Sequence, residues 1–120
     1  MNVFDFDGVV STGNYSPQSN DVIVTGRCFD ECEVVYSYLQ ENNLSGVAVF
    51  FNPISISFRG DHTIGARTIS GLHKIDVIDK LRKNGCFIDK IYEDDPLQAK
   101  LILNSFPNLE LILVEKSVEY

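Results

Sequence analysis

The chain has 120 residues, with 10 Lys+Arg against 17 Asp+Glu and a net charge of −7. That length allows one ordinary domain, and 44% hydrophobic residues with only 4 Pro exclude a disordered chain and supply a real core without disulfides or a structural metal. The acidic balance excludes a protein that grips extended duplex nucleic acid by its phosphates, because that needs a positive face. Cys28, Cys32 and Cys86 are an odd number at spacings that match no zinc knuckle, and they read as reduced, partly buried thiols of a cytoplasmic protein. Cys28 and Cys32 are four apart and share one face if helical, with core packing as their role. The first residues show no basic, apolar leader, and no run is long enough to span a membrane.

In chain order, short Val, Ile and Phe runs alternate with stretches of helical period, the pattern of βα units on a parallel sheet. Residues 3–6 predict a first strand, and residues 8–20, rich in Gly, Ser, Asn and Pro, an irregular connection. Residues 21–25 predict a second buried strand stopped by Gly26. Asp30 with Glu33 predicts a capping-box start for a helix whose apolar face is Val35, Tyr38 and Leu39, running to about Asn43. Residues 47–51 predict a third strand. Residues 52–67 read as a loop or small hairpin, because residues 54–58 alternate while Gly60, Asp61 and Gly65 mark turns. Leu72, Ile75, Ile78 and Leu81 predict the next helix, ending at Asn84-Gly85. Residues 87–92 predict a fourth strand. Asp95-Pro96 predicts a sharp helix start, with Pro107 closing that helix after about Ser105, and residues 109–114 predict a fifth strand.

Ligands of an open α/β sheet bind at the carboxyl ends of its strands, and polar residues collect there. Strand one ends in Asp5-Phe6-Asp7-Gly8, strand two in Thr25-Gly26-Arg27, strand four in Glu93-Asp94-Asp95. Asp5 and Asp7 are two apart in an extended segment, so both leave the backbone on one side. Two such carboxylates can divide labour, one as nucleophile and one as proton carrier. Lys74 shares the buried side of its helix with Ile78 and Leu81, and a cation there needs an anionic partner. Lys80, Lys83 and Lys90 fall on exposed positions. His62 and His73 read as surface histidines, and Phe50, Phe51 and Phe58 as core rather than as a base-stacking platform.

Phe4-Asp5-Phe6-Asp7-Gly8-Val9-Val10 resembles the first motif of the haloacid dehalogenase superfamily of phosphohydrolases. The run from Val22 to Arg27 is similar to its second motif, Thr68 and Lys74 to its third, and the run from Ile91 to Asp95 to its fourth. The Thr-Gly-Arg ending, Lys74 and Tyr92-Glu93-Asp94 together look most like the haloacid dehalogenase domain of Swiss Army Knife RNA repair proteins, relatives of the polynucleotide 3′-phosphatases. The resemblance spans residues 2 to about 104.

It implies a single three-layer, Rossmann-like domain over residues 1–120, with a mostly parallel sheet of about five strands and no cap domain. It implies a Mg2+-dependent phosphomonoesterase in which Asp5 is phosphorylated and Asp7 is the acid/base. Thr25, Gly26, Arg27 and Lys74 would hold the phosphoryl group or substrate, and Asp5, Asp7, Glu93 and Asp94 the metal, with Asp94 favoured over Glu93. The implied partner is a phosphorylated substrate, a nucleotide or a 3′-phosphorylated nucleic-acid end, reaching an open site or one closed by a second subunit of a homo-oligomer. The alternative is a catalytically silent binding domain on the same fold. The chain departs from repair-type relatives at Asp95, where they often carry Arg. Setting the four proposed metal-site acids aside leaves 13 acids against 10 bases, so the remaining surface is only mildly acidic.

Overall fold

A computed structural model of the chain describes residues 1–55 and 63–115. Its elements in chain order are β1 (Val3–Phe4), β2 (Val22–Cys28), α1 (Cys32–Glu41), β3 (Ala48–Asn52), α2 (Ile64–Lys83), β4 (Lys90–Glu93), α3 (Pro96–Ser105) and β5 (Glu110–Leu113). The five strands form one parallel sheet in the order β3-β2-β1-β4-β5. The alternation of strand side chains divides the interior into two layers. Phe4, Phe6 and Ile23 face α1, where Val35 and Leu39 close the first core. Val3, Val22, Val24 and Ile91 face the other way, against Val77 and Ile78 of α2 and Ile102 of α3. The result is a three-layer α/β domain, and among the described residues no second folded unit interrupts it.

The chain order reverses at β1, which pairs with β2 on one side and β4 on the other. Such a reversal opens a crevice beyond the strands' carboxyl ends, because the connections leave toward opposite sides of the sheet. β1 is short, and the chain after it turns tightly, with Val9 and Val10 sealed in the core. Tyr38 of α1 donates to the Val10 carbonyl at 2.9 Å and pins this turn.

Several boundaries differ from the sequence expectation. β2 does not stop at Gly26 but runs to Cys28. Between the Val24↔Phe50 and Cys28↔Asn52 pairs, β2 advances four residues while β3 advances two. This bulge re-aims Gly26 and Arg27 without ending the strand. Gly26 serves close packing, since a Cβ there would lie 2.5 Å from Ser70 Oγ of α2. The capping box joins Cys28 and Glu31, not Asp30 and Glu33, and opens a 3-10 turn over Phe29–Glu31 before α1. Cys28 therefore belongs to a strand and shares no helix face with Cys32.

α2 begins at Ile64, inside the stretch read as loop, because Thr63 caps it by accepting from Ala66 N at 3.0 Å. Residues 56–62 of the loop or hairpin expectation, with Phe58 and His62, lie outside the described residues. Leu72 is exposed, and the buried face of α2 runs through Ala66, Ser70, Gly71, Lys74, Val77 and Ile78. β4 starts three residues later than expected, leaving Phe87 exposed. Asp95 caps α3 as expected, accepting from Leu97 N at 2.9 Å with Pro96 at the first position. No described helix is long and apolar enough to cross a membrane.

Candidate active site

Asp5 follows β1 and Glu93 ends β4, so the order reversal sets both at the crevice. Lys74 is delivered from above by α2, whose close approach at Gly26 and Ser70 brings the helix down onto the sheet. Its ammonium lies 2.5 Å from Glu93 Oε1 and 3.1 Å from Asp5 Oδ1, and all three side chains are almost fully buried. Asp5 Oδ1 also accepts the Phe6 amide at 2.9 Å. Glu93 Oε2 accepts the amides of Asp94 and Asp95 at 3.0 and 3.1 Å. Glu93 thus has both oxygens committed, and it acts as the floor of the site.

Asp94 stands closer to solvent, and ligand atoms of Asp5, Glu93 and Asp94 lie within 4.8 Å of one another. Gly8 makes room for Asp94. Its φ is +76°, and a Cβ would lie 2.0 Å from Asp94 Oδ2, so only glycine fits in both conformation and space.

Charge in this cluster is unbalanced, with three carboxyls facing one ammonium. Burial pushes the Asp5 carboxyl well above its ordinary range against the pull of Lys74, and the charge of Glu93 and hydrogen bonding with Asp94 and Glu93 push it further. Burial opposes ionisation of Glu93 too, but the charge and hydrogen bond of Lys74 outweigh it and hold Glu93 below its usual value. Lys74 resists the same desolvation, because Asp5 and Glu93 raise it above the ordinary lysine range. A hard divalent cation fits this oxygen-only, negatively biased set, since it would supply the positive charge that Lys74 alone does not.

The remaining sequence candidates divide. Thr25 and Gly26 lie within β2, in the bulge between Val24 and Cys28, with the Thr25 hydroxyl fully buried and accepting the Arg27 amide at 3.1 Å. Asp7 is not in the carboxylate triad. Its side chain is 53% exposed and is forked by Arg27, with Nε to Oδ2 at 2.8 Å and Nη2 to Oδ1 at 3.0 Å. Arg27 Nη1 reaches Glu31 Oε2 at 3.1 Å. Thr68 bonds its own helix, donating to the Ile64 carbonyl at 2.7 Å. His73 is half-buried rather than a surface residue, with Nε2 3.3 Å from the Phe50 carbonyl. Phe51 is core, whereas Phe50 is partly exposed.

Two participants were missed by sequence reasoning. Glu31 sits four residues after Arg27, a spacing that carries no signal outside a helix. Arg67 forks Asp95 at 2.9 and 2.6 Å and holds its carboxyl at about 2, with burial opposing and the Leu97 amide assisting. Nothing local in the sequence joins residues 28 apart. Comparison of the chain with family models, curated proteins and solved structures returned no match.

Proposed function

We propose that the chain is a Mg2+-dependent phosphohydrolase of the haloacid dehalogenase type, cleaving a phosphomonoester through an aspartyl-phosphate on Asp5. The observation that carries this reading is the buried Asp5–Lys74–Glu93 group beside Asp94 at the sheet's order reversal. A structural ion pair has no need of a third carboxylate for which a glycine at positive φ leaves room.

Asp5 and Asp94, backed by Glu93, are the residues that would hold the metal. When bound, Mg2+ would neutralise the substrate phosphate and the carboxylates that face it. An Asp5 carboxylate oxygen attacks phosphorus, the new O–P bond forms, and the bond from phosphorus to the leaving oxygen breaks. Asp7 gives its proton to that leaving oxygen. Water then attacks the phosphoryl group and loses a proton to Asp7, and the Asp5 O–P bond breaks to release inorganic phosphate and restore both carboxyls. Lys74 fixes Asp5 Oδ1 and, with Thr25, supports the charge on the transferred group. A nucleotide or a 3′-phosphorylated nucleic-acid end remains the substrate class that the motif resemblance implies.

The test is release of phosphate from p-nitrophenyl phosphate by the wild type and by Asp5→Asn, each with and without MgCl2. Turnover is expected only from the wild type with magnesium. Turnover that survives Asp5→Asn would remove Asp5 as nucleophile, and a wild type silent on every phosphomonoester would leave a binding domain on this fold.

A further inference from the structure

Arg27 stands where a substrate-binding arginine is expected, yet its guanidinium is already engaged on three sides. Nε and Nη2 hold the two oxygens of Asp7, and Nη1 holds Glu31. Glu31 is itself anchored, since its Oε1 accepts the Cys28 amide at 3.2 Å in the capping box that opens the turn before α1. Arg27 lies in the β2 bulge, between the Val24↔Phe50 and Cys28↔Asn52 pairs. A chain of contacts therefore runs from the start of α1 through Glu31 and Arg27 to a carboxylate 20 residues away in sequence.

The Asp7 end of this chain faces solvent, with the Asp7 side chain 53% exposed. What a bidentate fork does supply is geometry, fixing both oxygens of an otherwise mobile side chain. Proton transfer to a leaving oxygen demands that kind of placement, within hydrogen-bond reach and in line with the attacking group.

We propose that Arg27 is a positioning residue that sets the Asp7 carboxylate for proton transfer, and that Glu31 sets Arg27. The proposal rests on the phosphohydrolase reading and deepens it, replacing a substrate-anchoring role for Arg27 with one exerted through Asp7.

The distinguishing experiment compares two leaving groups. An alkyl phosphate such as glycerol phosphate needs a proton on its departing oxygen, whereas p-nitrophenolate leaves without one. Arg27→Met should lower kcat/KM by about 30- to 100-fold for the alkyl ester and by less than about 5-fold for the aryl ester. Inhibition by inorganic phosphate should be unchanged. Glu31→Ala should show the same bias more weakly, and Arg27→Met/Glu31→Ala should be no worse than Arg27→Met alone. Equal losses on both esters, together with weaker phosphate inhibition, would make Arg27 a substrate anchor and overturn the proposal.

A second readout is independent of turnover. The Arg27 Nε–H resonance should exchange slowly with solvent in the wild type and quickly in Asp7→Asn. A fast-exchanging wild-type resonance overturns the proposal whatever the kinetics. A slow one in a protein with no phosphatase activity overturns the phosphohydrolase reading and, with it, the catalytic purpose assigned to the contact.

Discussion

The middle and the last turn of helix α2 carry lysines of the same chemistry in opposite settings. Lys74, at the middle of the helix, is buried between Asp5 and Glu93. Lys80 and Lys83, in the last turn, pair with Asp76 and Asp79 at 2.9 and 2.8 Å with side chains 70% and 74% exposed. Distances alone would rank these contacts as equals. The surroundings separate them: water screens the outer pairs, while the inner ammonium has given up its hydration and is held by charge it cannot exchange for solvent. His73 lies between these extremes, next to Lys74 in sequence and half-buried. One helix therefore spans the range from an ion pair that organises a site to ion pairs that decorate a surface.

The largest effect is expected from breaking the inner pair. Lys74→Met leaves buried carboxyls without their cation and should destabilise the fold by about 3–5 kcal/mol, read by urea denaturation, with phosphatase turnover lost. Adding Asp5→Asn and Glu93→Gln to that variant should recover part of the loss, because no unpaired charge then remains inside. A triple variant as unstable as Lys74→Met would show that packing, not charge, is what Lys74 supplies.

Gly8→Ala comes next. It forces an L side chain to φ +76° and into Asp94 Oδ2, a backbone penalty of roughly 1–2 kcal/mol before the clash is counted. Mg2+ should then raise the melting temperature of the variant less than that of the wild type, since Asp94 is displaced. An equal magnesium shift in both proteins would separate Asp94 from the metal.

His73 predicts a smaller, pH-dependent effect. Burial and the nearby charge of Lys74 depress its folded value, against the carbonyls of Phe50 and Thr25 and the charge of Asp76. The unfolded chain, with an ordinary histidine near 6.5, binds the proton first as pH falls. The wild type should therefore lose stability from about pH 6.5 downward, levelling off below the folded value. His73→Gln should lack that component of the decline, and parallel pH curves for the two proteins would place His73 in solvent. Smallest of all, Lys80→Ala and Lys83→Ala should leave the urea midpoint unchanged, and a clear loss in either would erase the contrast between the middle and the end of α2.

Legibility in the sequence followed the range of the interaction concerned. The cap at Asp95-Pro96 and the Val35–Leu39 face of α1 are set by neighbours within a turn, and both were readable. Lys74 was readable as buried because Ile78 and Leu81 fall on its side of the helix, although Leu72, included by the same spacing, proved exposed. Gly26 was misread as a strand end because a glycine that stops a strand and one that admits a helix look alike without the helix. Asp7 was grouped with Asp5 by strand alternation, a rule that fails where β1 ends and the chain turns.

Taken by itself, the sequence determined the succession of strands and helices, the parallel α/β class, and the gathering of Asp5, Glu93 and Asp94 at strand ends, since these follow from periodicity and short-range capping. Only the tertiary structure decided who pairs with whom. It gave Lys74 to Asp5 and Glu93, Arg27 to Asp7 and Glu31, and Arg67 to Asp95. Those choices depend on strand order, on a bulge in β2 and on how closely α2 approaches the sheet. Each is set by packing over the whole domain, which no local stretch of residues encodes.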